Sequence, residues 1–315
     1  MTEVSTGRLA APDAPLRAGL EEVADGVFAY VQRVGGWCVN NAGLLVEPDR
    51  VTVVDTVATE ARAYALRAAV AQLTAAEPKL LVNTHFHGDH TFGNAIVGGP
   101  GATVVAHERA RTEMAAAGLG LTGLFPAVEW GGIDVMLPNV TYTDRLTLHL
   151  GDRTAELLHL GPAHTTGDTV VWLPGERVLF AGDVLMRGCT PFTLMGSVAG
   201  SLAAIEQLRA LGPRVVVGGH GPVSGPEVLD ETAGYLRWVQ RLADGGRAAG
   251  LSPLETAREA GFAEYGDWLD RERLLGNLHR AYAEAAGGPL GEPLDAVAVF
   301  REMVEFHGRP PECFA

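Results

Sequence analysis

The chain lacks any apolar run that could cross a bilayer. Its longer apolar stretches, such as residues 80–82 and 215–217, last only a few residues, where about 20 are needed. No basic segment leading into an apolar one opens the sequence at residues 1–8, so no secretory signal is expected. Cysteine is scarce. Cys38, Cys189 and Cys313 cannot make a disulfide framework in a chain of 315 residues. These three absences predict a cytoplasmic protein with no membrane partner. Lysine is nearly absent as well: Lys79 is the only one, and the remaining basic side chains are scattered arginines. With 38 acidic against 24 basic residues the net charge is −14. That surface disfavours a phosphate backbone, and no basic patch beyond the pair Arg109 and Arg111 offsets it. Nucleic acid is therefore not an expected partner.

What is present is a hydrophobic content of 47%, ample for a soluble globular core. Residues 1–20 are Pro- and Ala-rich without periodicity and predict a flexible tail. Strands are expected at 27–32, 38–46 and 51–55, then a helix at 58–76 with Leu66, Val70 and Leu73 on one face. Further strands fall at 79–83 and 104–106. Residues 114–140 are Gly-rich yet apolar and fit neither period. Two close-spaced strand pairs follow, 146–150 with 155–160 and 169–173 with 177–180, turning at Gly151-Asp152 and Pro174-Gly175. A helix carrying Leu202, Ile205 and Leu208 leads to a strand at 215–217. After Gly225 the chain reads as helix, interrupted at Gly245-Gly246, Gly250 and Gly287-Gly288-Pro289. This order fits two sheets packed together with helices outside, an αββα sandwich. The expected organisation is a tail at 1–20, the sandwich at 21–240 and a helical C-terminal extension at 241–315.

The chemistry concentrates in Thr84-His-Phe-His-Gly-Asp-His-Thr91. His85, His87, Asp89 and His90 are four ligand-type side chains within six residues, more than one tetrahedral ion would take from one loop. They imply a second ion and further ligands downstream. Three later sites share one pattern, a short apolar strand, glycine nearby and then a ligand-type residue: His164, Asp183 and His220. Strand ends present side chains from a rigid scaffold. Together these make five His and two Asp, a set suited to two ions that share a carboxylate. The other histidines, His107, His149, His159, His279 and His307, lie in periodic segments or near the terminus and read as surface or core residues. Cys189 reads as core or pocket lining, and Asp168 as a turn residue.

His-x-His-x-Asp-His followed by single His, Asp and His residues resembles the metallo-β-lactamase superfamily, over roughly residues 23–240. The resemblance implies the metallo-β-lactamase αββα fold. It implies a first zinc on His85, His87 and His164, a second on Asp89, His90 and His220, and Asp183 bridging; iron or manganese remain open. Asp55 stands where the family has a buried supporting Asp, which orients a ligand loop by hydrogen bonds. Two such ions lower the pKa of a water and polarise a carbonyl, with Asp89 accepting a proton or orienting the nucleophile.

Within the superfamily, secreted β-lactamases fit poorly, for want of an export signal and because of the ligand set. Glyoxalase II shares the ligand set but binds glutathione through C-terminal basic residues that are not evident here. Gly36-Trp-Cys-Val-Asn-Asn-Ala-Gly43, Thr190-Pro-Phe-Thr-Leu-Met-Gly-Ser-Val-Ala-Gly-Ser201 and Tyr235-Leu-Arg-Trp-Val-Gln240 are similar to segments of the zinc-dependent aromatic polyketide cyclases, of the actinorhodin second-ring type. That resemblance implies an acyl thioester substrate presented by an acyl carrier protein. Trp37, Phe125, Phe192 and Met195, with Trp130, are the candidates for an apolar substrate pocket. A general thioester or lactone hydrolase and a non-catalytic scaffold are the alternatives. Homo-oligomerisation is left open.

Overall fold

The computed structural model describes residues 18–32 and 35–315. Most of the expected N-terminal tail, residues 1–17, lies outside them. Its last three residues are not tail, because Ala18–Ala24 forms β1, paired antiparallel with β2 (Val27–Gln32). The first sheet continues through β3 (Ala42–Val46), β4 (Val51–Val54), β5 (Pro78–Val82), β6 (Thr103–His107) and β7 (Val140–Tyr142) in that spatial order. It is antiparallel up to β4 and parallel beyond it. The second sheet is ordered β12 (Val215–His220), β11 (Val178–Met186), β10 (Val170–Leu173), β9 (Arg153–Leu158) and β8 (Arg145–Leu150). Only β11 and β12 run parallel there. The helices are α1 (Glu60–Leu73), α2 (Gly88–Thr91), α3 (Asn94–Gly98), α4 (Glu108–Ala117), α5 (Val198–Leu211), α6 (Glu227–Ala248), α7 (Pro253–Ala260), α8 (Arg273–Ala285) and α9 (Ala296–His307). Among the described residues no helix is long and apolar enough to cross a membrane.

The layers follow from strand periodicity, since successive side chains point to opposite faces. Val171, Leu173 and Phe180 of the second sheet meet Leu45, Val82 and Val105 of the first in the central core. Their neighbours Leu44, Leu81 and Val104 face outward onto Leu66 and Val70 of α1. Trp172 and Leu179 face the other way, onto Ile205 and Leu208 of α5 and the apolar sides of α6 and α8. This is the αββα sandwich, with a helical C-terminal region packed on its second outer face.

Three expectations need correction. The strand expected at 38–46 begins only at Ala42, because Cys38 takes a left-handed φ of 62° and the next residues bond elsewhere. Asn40 Nδ2 donates to the Thr56 carbonyl, and Asn41 Nδ2 donates to the Gly218 and Gly221 carbonyls; such side-chain bonds displace a ladder. Gly245-Gly246 does not break a helix; α6 runs through it to Ala248. A Cβ on Gly246 would stand 2.1 Å from both Thr256 Oγ1 and the Tyr282 hydroxyl, so this glycine provides room for α7 and α8. The boundary expected at 240/241, where the resemblance ends, falls inside α6.

Candidate metal centre

The seven residues converge at one edge of the two sheets. β5 delivers His85 and His87 on its outgoing loop, and the single turn α2 then brings Asp89 and His90 round to the same side. His164 comes not from a strand end but from the loop six residues past the end of β9. Asp183 likewise sits within β11, where the pairing with β12 is irregular. His220 ends β12. Glycine assists here in two ways: Gly182 (φ 52°) and Gly221 (φ 86°) turn the chain beside Asp183 and His220, and Gly219 leaves room, since a Cβ there would lie 1.8 Å from Asp183 Oδ1.

Two groups result. His85, His87, His164 and Asp183 form one, and Asp89, His90 and His220 the other; in each, one ligand atom per residue lies within 4.8 Å of the rest. His87 Nδ1 is 3.0 Å from His85 Nε2 and 2.9 Å from His164 Nε2. Asp183 stands between the groups. Its Oδ2 is 3.4 Å from His164 Nε2 and 3.3 Å from His220 Nε2, and its Oδ1 is 3.1 Å from His90 Nε2. Asp89 Oδ2 closes the second group 3.4 Å from His220 Nε2.

The outward ring nitrogens are tied down. His85 Nδ1 donates to Thr84 Oγ1, which donates to Asp55 Oδ2; His90 Nδ1 donates to the same Asp55 oxygen at 2.8 Å. His220 Nδ1 donates to the Val39 carbonyl and His164 Nδ1 to that of Phe192. Such partners fix the tautomer and leave the inward nitrogen as a lone-pair donor. Asp55, at φ 61°, thus positions one histidine of each group. Asp168 holds the His164 loop, accepting from the Thr165 amide, the Thr165 hydroxyl and the Ala163 amide. The turn role expected for it is what the structure shows.

Electrostatics divides the groups. Burial, then mutual repulsion among the imidazoles, depresses His87 to about 3, and burial depresses His164 to about 4. These rings are neutral at physiological pH, as metal ligands must be. Burial also opposes charge on His220, but Asp183 and Asp89 outweigh it and raise that ring to about 9. Burial would raise Asp89, but His90 and His220 outweigh it and hold it at about 2. Two inward atoms, His90 Nε2 and Asp183 Oδ1, face each other at 3.1 Å but are misaligned for a hydrogen bond, and neither has another partner. Buried polar atoms are rarely left so, and a shared cation satisfies both. The donor set of imidazole and carboxylate fits a first-row divalent ion.

Beside the groups lies a narrow chamber of about 50 Å³ whose walls include Trp37, Phe192, Met195 and Phe300, with Leu121 and Leu124 as a roof. Trp37 is fixed from every side: its Nε1 donates to Glu272 Oε1 at 2.7 Å, and the Arg273 guanidinium stacks 4.0 Å from its ring centre. Phe125 is a correction. It does not line the chamber but packs behind Trp37, ring centres 5.8 Å apart. Trp130 supports Phe92, further from the metal groups. Sequence reasoning missed Arg273 and Phe300, which reach the chamber from the C-terminal helical region, and Glu272, which holds Trp37 from behind. The only signal was a short charged run, Asp270-Arg-Glu-Arg273, that marks many solvated surfaces equally well. Cys189 is buried, away from the ligand atoms. His107 and His159 stack on each other, ring centres 3.9 Å apart, and His279 pairs with Glu302; these serve structure.

An αββα sandwich with two converging His/Asp groups at one sheet edge has the architecture of a metal-dependent hydrolase. Residues 35–220 match the family profile described as the metallo-beta-lactamase superfamily, and the chain belongs to that superfamily. It is 25% identical over 224 residues to a "Metallo-beta-lactamase type 2" of Bacteroides fragilis, covering 68% of this chain and 83% of that one. It is 32% identical over 133 residues to a "Hydroxyacylglutathione hydrolase" of Methylococcus capsulatus, covering 42% and 43% of the two chains. Among solved structures, a metallo-beta-lactamase from Pontibacter korlensis superposes with a TM-score of 0.58 at 20% identity, covering 70% of this chain and 99% of that one; this supports the fold.

Proposed function

We propose that the protein is a two-zinc hydrolase of acyl thioesters, and that its acyl group is an aromatic polyketide intermediate presented by an acyl carrier protein. His85, His87 and His164 would hold one zinc, Asp89, His90 and His220 the other, with Asp183 shared. The observation that carries the reading is Asp183, its two oxygens facing both groups beside a chamber walled by aromatic rings. When bound, the ions supply Lewis acidity, polarising an acyl carbonyl and making water acidic enough to react at neutral pH. Asp89 remains ionised, so it accepts a hydrogen bond from an attacking water and orients it. Trp37, Phe192 and Phe300 form an apolar wall for the acyl group. Leu121 and Leu124 complete the apolar lining of the chamber on the side of the 114–140 segment. The segments 36–43, 190–201 and 235–240, similar to those of polyketide cyclases, supply two chamber walls, at Trp37 and Phe192. The same site would hold the enolate of a poly-β-ketone during ring closure.

A second reading, hydrolysis of a hydroxyacylglutathione, is favoured by the 32% identity to such a hydrolase. The two are separated by incubating zinc-loaded protein with a monocyclic polyketide thioester mimic and with lactoylglutathione. Thiol release or ring closure with the first is expected; turnover of lactoylglutathione alone would favour the second. In either case His87→Ala should lose metal and turnover together. A folded, metal-depleted variant with undiminished turnover would refute both.

A further inference from the structure

On the far side of Met195 from the chamber is a separate groove of about 560 Å³, between the Phe86–His87 loop and the segment leading into α9. Met195 is the shared wall. Its Sδ lies 3.5 Å from His87 Nε2, and the Phe86 ring, which lines the groove, is centred 4.5 Å from the His87 ring. Leu194, Leu290 and Leu294 give the groove apolar surface, and Arg109, Glu113, Thr166 and Glu292 its polar groups. One polar feature stands out within it. Glu113 spends one carboxylate oxygen on the Thr166 hydroxyl, while the other, Oε2, is buried with no donor. A buried acceptor without a donor is costly, and an amide N–H in the groove would satisfy it.

We propose that this groove binds the amide-bearing thiol arm of an acyl thioester, an arm of the pantetheine type, with Glu113 Oε2 accepting from one of its amides. The proposal rests on the thioester reading and divides the substrate between two sites. The acyl group faces the aromatic chamber, the scissile bond lies at the metal groups beside His87, and the thiol arm leaves past Met195. A groove that sets leucine, proline and aromatic surface beside a few polar side chains, with Glu113 Oε2 left without a donor, suits a flexible chain whose polar groups are amides. Arg109 at the rim makes no ion pair among the described residues, and stands where a phosphate at the distal end of the arm would be met.

The test uses the zinc-loaded full chain and calorimetric binding of S-propyl pantetheine, a thioether that cannot be hydrolysed. Saturable binding is expected, weakened about tenfold by Glu113→Gln, which keeps an oxygen for Thr166 but replaces the second acceptor with a donor. Leu294→Glu, a change in the groove wall away from the metal groups, should abolish binding. No binding to the wild-type chain, or equal binding by both variants, would overturn the proposal. The same thioether carried on coenzyme A and on an acyl carrier protein identifies the source of the arm by which form binds tighter. The thioester reading fails separately: binding without thiol release from any thioester would sink it and leave the groove standing. Thiol release indifferent to Glu113 and Leu294 would do the reverse.

Discussion

Asp55 shows how a residue remote from substrate can govern a site. It touches no inward ligand nitrogen, yet its carboxylate accepts from the Thr84 amide, the Thr84 hydroxyl and His90 Nδ1. Through Thr84 it also fixes His85. Its left-handed backbone is one that Asp and Asn share more readily than other residues. Asp55→Asn should therefore keep the backbone while removing the charge and presenting an N–H where an acceptor is needed. Zinc affinity, measured by competition with a chromogenic chelator, is expected to fall about 10- to 100-fold, with near-ultraviolet circular dichroism unchanged. Unaltered affinity in a folded variant would mean that the Asp55 network only fills space.

At the scale of elements, glycines that read alike in sequence behave oppositely in the fold. Gly245 and Gly246 stand side by side in α6. Nothing approaches a Cβ on Gly245 within 4 Å, whereas one on Gly246 would collide with Thr256 and Tyr282 at 2.1 Å. Gly245→Ala should stabilise by about 0.5–1 kcal/mol, the usual helix preference. Gly246→Ala gains the same preference but forces α7 and α8 away from α6, a net loss of about 1–2 kcal/mol. Urea denaturation of both variants checks the pair; shifts of the same sign would refute the packing argument. This pair also marks the limit of what the sequence discloses. The sandwich was legible because the strand pairs β8–β9 and β10–β11 are close-spaced and their hairpin turns are explicit. The ligands were legible because few other chemistries place four such side chains in six residues. The chamber wall was not. Arg273 and Phe300 reach it only because α8 and α9 fold back, and no local pattern encodes that contact. Phe125 was placed in the pocket because an aromatic in a loop gives no hint of which ring, its own or that of Trp37, stands in front.

For the molecule as a whole, the metal centre is also a store of buried charge, and its two halves respond to pH in opposite directions. An ordinary imidazole titrates at 6.5; in the metal-free fold His87 is held at about 3 and His164 at about 4. Between those values and 6.5 the unfolded chain binds protons that the folded chain refuses, so stability falls as pH drops below about 6.5. His220 is held at about 9. Between 6.5 and 9 it is the folded chain that keeps the proton, so this contribution is complete below about 6.5 and is lost as pH rises towards 9. The metal-free protein should thus be most stable near pH 6.5 and lose melting temperature on either side. Bound metal ions take the place of the His220 proton and the charge it supplies, so the alkaline loss should disappear on loading. The increment in melting temperature given by zinc is then expected to grow steadily from about pH 6.5 to about pH 9. Thermal melts of chelator-stripped and zinc-loaded protein across that range provide the measurement. A metal-free protein whose melting temperature climbs through the alkaline window would show that the carboxylates around His220 do not hold its proton, and that the second group is organised by the ion rather than before it.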